Sequence, residues 1–571
     1  MVEVSKAQWL PRPIVAGIVR QFYLPTPARR LGTMHSYSQL EPLALVPVMA
    51  VCRAWREAAC GHFYREGLVS TEKWIQGLYF HAPMPGLDLA LAGGHQRHLR
   101  RLFVHCDFPP LEGGWEDDVC DAAGLVHRCG PLPLLREVYF EFDKYLGPAG
   151  VDGEHDLACR IAAEFARLVG ALAQAAPNVH RVSLGEMSGE NWRAESHDVV
   201  RGAFRQAYNT VGAATTHLDI MSEGAVRYMH LCPPVDDLCS LVLVTLGQTR
   251  DVIDLIHRNA ASLEVLCIDR TGAWSAADLV IAGQRPIRMV TYPQLRLLRI
   301  AHGGSNGDNG ARLAGVNPFP RLEMLRCPDD IQLTFAATVL ENSARLRSLD
   351  MPLSADMVAG LGRGALPVLH HIGLNICHLV GYNADAVAGH LRKVLELCPH
   401  VCSIELVHNQ SDTHRIVLCG LHLPPAVQLL DASNLLLTAD MAAKLLSACP
   451  ELLTARVTLN RMGECSVDGA LPTDDAVRRR RAQFRDPRPS VCSLELTLYC
   501  FTKLQLACES ALLLLDVLPR VSRVALAVND NRFTHESALR GVCYARRRPI
   551  YATRPHLARI RFVGRESTAD W

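Results

Sequence analysis

The chain has 571 residues, with 59 basic and 58 acidic side chains, a net charge of +1 and 49% hydrophobic residues. That balance excludes a general attraction to nucleic acid or to an anionic membrane. The longest wholly apolar stretch, Pro42 to Cys52, is too short to span a bilayer. The start of the chain, with Glu3, Trp9 and two prolines by residue 13, lacks the basic and apolar regions of an export signal. The expected setting is therefore cytoplasmic or nuclear. The 20 cysteines are scattered and often replace an apolar residue, so reduced core thiols are expected.

Residues 1–70 read as helical. Leu10-Pro11 opens a stretch with Ile14 and Ile18 at helical spacing and a proline in the first turn. A second stretch, containing Leu45, runs into Val51-Cys52-Arg53-Ala54-Trp55-Arg56. This order of Leu-Pro, spaced isoleucines and Val-Cys-Arg-x-Trp-Arg resembles an F-box, a three-helix segment that docks a Skp1-type adaptor of a cullin ubiquitin ligase. The resemblance implies that Leu10, Pro11, Ile14, Ile18, Leu45, Val51, Cys52 and Trp55 bind the adaptor. The interval from Leu10 to Trp55 is longer than the family's, and the excess lies in the Pro25–Gln39 segment. Without an adaptor, the same helices would cap the array that follows. Residues 71–98 read as a linker or capping segment.

From residue 99 the chain is an internal repeat. The pattern apolar-x-x-apolar-x-apolar starts at 99, 135, 179, 215, 238, 263, 295, 322, 346, 369, 401, 427, 452, 491, 521 and 557. Eleven copies carry a proline two residues before the first apolar position, as in Pro399-His400-Val401-Cys402-Ser403-Ile404-Glu405-Leu406. A helix cannot run through that proline, and proline is tolerated at the first residue of a strand. Helical spacing precedes several copies, over Ala386–Cys398, Met441–Cys449 and Ala511–Leu518. Each unit therefore reads as a helix, a proline stop and a short strand. Intervals run from 23 to 44 residues. The short ones match the leucine-rich repeat. The long ones need insertions, expected at Asp143–Asp156, Gly303–Val316, Asn460–Pro489 and Asn529–Pro555.

The expected fold is α/β: an irregular leucine-rich-repeat solenoid of about sixteen units over residues 99–571. Its curved parallel sheet would carry helices on the convex side. A doubly wound enzyme sheet would need strands buried on both faces, whereas these carry charge between the apolar positions. Joined to the F-box-like start, the array resembles the F-box-like/leucine-rich-repeat sets of fungi.

Catalytic motifs are missing from the sequence: there is no HExxH, GxSxG or Walker lysine loop. Gly360–Gly364 precedes a strand and reads as a turn between repeats. His302–Asp308 follows a strand but brings no basic residue to meet a phosphate. His370 and His371, adjacent on a strand, should face opposite ways. Arg478–Arg481 and Arg546–Arg548 read as solvated charge blocks. No cofactor, metal or catalysis is expected.

With positions four and six inward, positions three, five and seven would line the concave face. They bring Arg101, Phe103, His105, Glu137, Tyr139 and Glu141, then Arg299, Asp350, Glu405, Asp431 and Glu495, then Arg523, Arg559 and Arg561. The expected function is protein binding there, with the chain monomeric outside its complex. It would act as an F-box-like substrate receptor of a cullin-type ligase or as a ligase-independent scaffold.

Overall fold

The computed structural model describes residues 13–15, 49, 53–71, 86–106, 120–142, 154–187, 198–199, 202–203, 205–206, 209–210, 215–220, 236–245, 250–270, 279–282, 288–301, 317–327, 333–363, 366–375, 384–407, 426–437, 442–443, 445–446, 449, 451–460, 491–499, 511, 514, 518, 521, 523–529 and 560–562. The expected insertions therefore lie almost wholly outside the described residues, as do His302–Asp308 and both arginine blocks.

The chain divides into two compact units, Met1–Trp274 with Asp278–Tyr292, and Ser275–Ala277 with Pro293–Trp571. This division falls inside the array that the period treats as continuous. The first unit runs α1 (Arg53–Phe63), β1 (Glu66–Ser70), α2 (Leu87–Ala92), β2 (Arg101–Cys106), α3 (Ala122–Cys129), β3 (Glu137–Phe142), α4 (Glu154–Ala175), β4 (Arg181–Met187), β5 (His217–Ile220), β6 (Ser240–Thr245), α5 (Arg250–Arg258) and β7 (Val265–Arg270). A small antiparallel pair, β8 (Ile281–Ala282) and β9 (Arg288–Met289), closes it. Strands β1 to β7 pair in chain order, all parallel.

The second unit runs β10 (Leu297–Ile300), β11 (Met324–Arg326), α6 (Leu333–Asn342), β12 (Ser348–Pro352), α7 (Ala355–Arg363), β13 (His371–Asn375), α8 (Ala384–Leu397), β14 (Ser403–Val407), β15 (Leu429–Leu437), β16 (Thr454–Asn460), β17 (Ser493–Tyr499), β18 (Arg523–Asn529) and β19 (Ile560–Phe562). These strands too pair in chain order and in parallel. Each copy of the sequence pattern thus marks one strand, in the α/β leucine-rich-repeat manner.

The three apolar positions of the pattern are the core. In every copy from Leu99, Leu102 and Val104 through Val491, Leu494 and Leu496 they are buried, most of them completely. A fully buried Leu or Ile contributes about 1.5–3 kcal/mol, so the columns hold the array repeat by repeat. Helices cover this face: Phe165 of α4 meets Phe140 of β3 edge-on at 5.5 Å. Two buried polar side chains tie neighbouring segments together. Glu164 of α4 accepts from the Ala123 N–H at the start of α3, 2.8 Å away. Asn259, at 1% exposure, accepts from the Leu238 N–H and donates to the Leu255 carbonyl, each at 2.9 Å.

The proline does not begin the strand. Pro133, Pro177, Pro320, Pro367 and Pro399 each lie four residues before one. The first apolar residue of these copies donates its N–H to the carbonyl just before the proline, at 3.1–3.3 Å, as Leu135 does to Leu132 and Val401 to Cys398. That is a β-turn with proline at its second position, where its fixed φ is already correct. The expected helix over Ala386–Cys398 is α8, with Leu391, Val394, Leu395 and Cys398 buried. Gly360 is not in a turn. It lies in α7, where an added Cβ would stand 3.0 Å from the Ala337 backbone of α6, so the glycine permits close helix packing.

The sheet also begins earlier than the period predicts. Strand β1 falls within residues 1–70, and Tyr64, Gly67 and Val69 take the three core positions. Gly67 replaces the usual apolar side chain because the buried Leu99 fills its place: a Cβ there would approach Leu99 Cδ2 to 2.7 Å. The segment 71–98 includes α2, whose Leu87 and Ala90 are fully buried.

Candidate functional site

Alternation along each strand turns positions three, five and seven away from the helices. Because the strands are parallel and in register, equivalent residues form columns across the helix-free face of each unit.

In the first unit, position three reads Glu66, Arg101, Glu137, Arg181 and His217 across β1 to β5. Charge alternates along this column. Arg101 pairs with Glu66 at 3.1 Å and with Glu137 at 2.7 Å. Burial works against the Arg101 charge, but Glu137 and Glu66 outweigh it and hold the guanidinium more firmly protonated than usual. Arg181 meets Asp219 at 2.7 Å, and Ser183 donates to the same oxygen at 2.8 Å. Position five adds Phe103 and Tyr139, with ring centroids 5.4 Å apart. Position seven pairs His105 with Glu141 at 3.5 Å.

In the second unit, position five reads Arg299, Arg326, Asp350, Gly373, Glu405, Asp431, Arg456, Glu495, Ala525 and Arg561. Arg456 bridges Asp431 at 3.1 Å and Glu495 at 3.0 Å. Gly373, between Asp350 and Glu405, carries no side chain, and the Asp350 carboxylate lies against it, 3.0 Å from where a Cβ would stand. Burial, then Asp350 and Asp431, push the Glu405 carboxyl above the usual range. His371, two residues earlier on β13 at position three, hydrogen-bonds Ser403 through Nδ1 at 2.8 Å, with Glu405 4.0 Å from Nε2. Burial and the Arg326 charge lower its pKa to about 4, against the pull of Asp431. Its neighbour His370 is exposed on the rim.

Thus Arg299, Asp350, Glu405, Asp431, Glu495 and Arg561 fall in one column, while Arg523 stands in the position-three column beside Ser493. Arg559 lies outside the described residues, and nothing is described of the Arg523 and Arg561 side chains. Among the partners that organise these columns, Arg181, Asp219 and Arg456 were not singled out from the sequence, and His371 was read only as facing away from His370. Aligning the copies at position three would have exposed the alternation of charge.

Of the F-box-like positions, Leu10, Pro11, Ile18, Leu45, Val51 and Cys52 lie outside the described residues. Ile14 is 49% exposed beside a fully buried Val15, and Trp55 is buried under α1 with Ala59, Cys60 and Phe63. The described cysteines are free thiols, and burial pushes those of Cys398 and Cys449 up to about 11 and about 12. Among the described residues no group of three His, Cys, Asp or Glu side chains could hold a metal ion. No described helix is long and apolar enough to cross a membrane.

No family model matches the chain, and no curated protein matches it. Among solved structures it is similar to the crystal structure of the leucine-rich repeat-containing protein LegL7 from Legionella pneumophila. The two are 10% identical, the match covers 77% of this chain and 97% of that one, and the TM-score is 0.24.

Proposed function

We propose that the chain is a protein-binding scaffold and that the helix-free face of its second unit, centred on Asp350, Glu405 and Asp431, receives the partner. The observation that carries this reading is the position-five column itself. It sets ionisable side chains in one line on a half-exposed face, with the three carboxylates Asp350, Glu405 and Asp431 close together near its middle. Extended faces of repeat arrays suit macromolecular partners better than small molecules. The reading requires neither a cofactor nor catalysis. The test places a photocrosslinking residue at Ser403 on this face or at Lys393 on α8. A partner captured from Ser403, and lost when Asp350 and Glu405 are both reversed to Lys, supports the reading. Capture from Lys393 alone would refute it.

A second reading assigns residues 1–70 to docking a Skp1-type adaptor, which would make the scaffold a substrate receptor of a ubiquitin ligase. The exposed Ile14 favours it, being a large apolar side chain at a motif position. The buried Trp55 fits capping of the array equally well. Co-purification with a Skp1-type adaptor decides: binding abolished by Ile14→Asp supports docking, and no binding by the wild type leaves the scaffold alone.

A further inference from the structure

The rim at which strands β1 to β4 begin carries an arginine ladder that neither reading uses. Arg65, Arg100, Arg136 and His180 occupy position two of successive copies. The N–H groups of Arg100 and Arg101 both donate to the Arg65 carbonyl at 2.8 and 3.1 Å, and those of Arg136 and Glu137 to the Arg100 carbonyl at 2.9 and 3.1 Å. The N–H groups of His180 and Arg181 repeat this on the Arg136 carbonyl at 3.0 and 3.2 Å. The arginines are thus one strand spacing apart, about 4.8 Å per step.

Nothing described neutralises them. Arg100 and Arg136 are exposed and make no ion pair among the described residues, and Arg65 Nε is buried without a hydrogen-bond partner. The nearest carboxylates in the ladder, Glu66 and Glu137, are both engaged by Arg101. The chain segments leading into these strands, residues 61–65, 93–100, 127–136 and 176–180, contain no Asp or Glu. They add the exposed Arg97 and Arg128. Burial, then Arg97, depress His95 and His98, in keeping with a positive field. The character ends at β6 and β7, where Asp236, Asp237 and Glu264 stand exposed at the same rim.

We propose that this rim docks an extended, Asp/Glu-rich segment of a protein partner. Guanidinium forks match carboxylates in pairs. An extended peptide sets alternate side chains about 7 Å apart on one face, so carboxylates at every second residue can reach neighbouring arginines of a ladder about 10 Å long. Nucleic acid fits less well, since binding of single strands needs exposed aromatic faces for stacking. In the described part of this rim Phe63 and Tyr64 are buried.

The test uses the full chain and a fluorescein-labelled twelve-residue peptide of alternating Glu and Ser, read by anisotropy at low salt. Binding is expected that weakens with added salt and is lost in the Gln-Ser counterpart. Arg100→Glu with Arg136→Glu should weaken it at least tenfold, and the milder Arg100→Gln with Arg136→Gln severalfold, which keeps the test open if reversal disturbs folding. Arg392→Glu on the exposed side of α8 should leave it unchanged. Glu405→Lys should also leave it intact, which separates this site from the face proposed above. The inference is overturned if the Glu peptide does not bind, or if the Gln peptide binds equally well. It is also overturned if Arg392→Glu weakens binding as much as the rim variants, or if oligouridylate or phosphatidylserine vesicles bind the rim more tightly than the peptide.

Discussion

His371 should make the second unit sensitive to acid well before its carboxylates do. The side chain is only 27% exposed, and every group packed near it bears on the outcome. Arg326 opposes its protonation, Asp431 favours it, Ser403 bonds Nδ1, and Glu405 stands 4.0 Å away as a carboxyl that itself tends to protonate. Depression from 6.5 to about 4 is worth about 3 kcal/mol, at roughly 1.36 kcal/mol per pH unit. For a depressed group the stabilising contribution is fully present above the unfolded value of 6.5 and is lost as pH falls toward 4. Wild type should therefore lose about 3 kcal/mol more than His371→Gln between pH 7 and pH 4. Glu405 runs the opposite way: its raised value favours the folded state at low pH and loses that contribution as pH rises. It is present in both proteins and largely cancels. The assay is urea denaturation at stepped pH, with an NMR titration of the imidazole resonance that disappears in His371→Gln. A His371 midpoint near 6.5, or parallel acid losses in the two proteins, would refute the reasoning.

Three further outcomes follow from packing and charge. Arg101→Leu should cost about 3 kcal/mol, because Glu66, at 6% exposure, loses the Arg101 guanidinium. Arg53→Leu, which breaks an exposed pair within α1, should cost only about 0.3–0.5 kcal/mol; equal costs by denaturation would contradict this. Gly67→Ala should destabilise by about 1–3 kcal/mol through overpacking against Leu99, and Leu99→Ala in the same protein should recover part of the loss; strict additivity would show that the two sites are not in contact. Leu349→Ala, in the middle of a fully buried column, should cost about 2–5 kcal/mol. Hydrogen exchange should then rise chiefly in β11, β12 and β13, and a uniform rise along the chain would contradict nearest-neighbour coupling.

The strands were legible because a single spacing, apolar at one, four and six, serves every copy. Strand β1 escaped because its fourth position is Gly67, whose missing side chain is explained only by Leu99 in the next copy. The role of proline was half legible. Its power to stop a helix follows from its own chemistry, but the turn it forms depends on a carbonyl three residues back from the copy's first apolar residue. Gly360 misled for a related reason, since its helix is made acceptable by Ala337 on a neighbour. On the helix-free face, alternation identified which residues face away from the core. Which of them bond each other depends on register between distant segments, as with Arg181 and Asp219 or Arg456 and Asp431.

The column order has a consequence for how the chain reaches its fold. Within each unit every parallel strand pair described joins consecutive copies, and the copies of the period start only 23 to 44 residues apart in a chain of 571. No pairing within a unit waits for the two ends of a long polypeptide to meet, so the entropy of closing each loop stays small and nearly constant along the chain. Folding can begin at any adjacent pair of copies and spread in both directions. The time to complete the array should then depend on the slowest single junction, and the copies with the longest intervals, such as 135 to 179, are where propagation should pause.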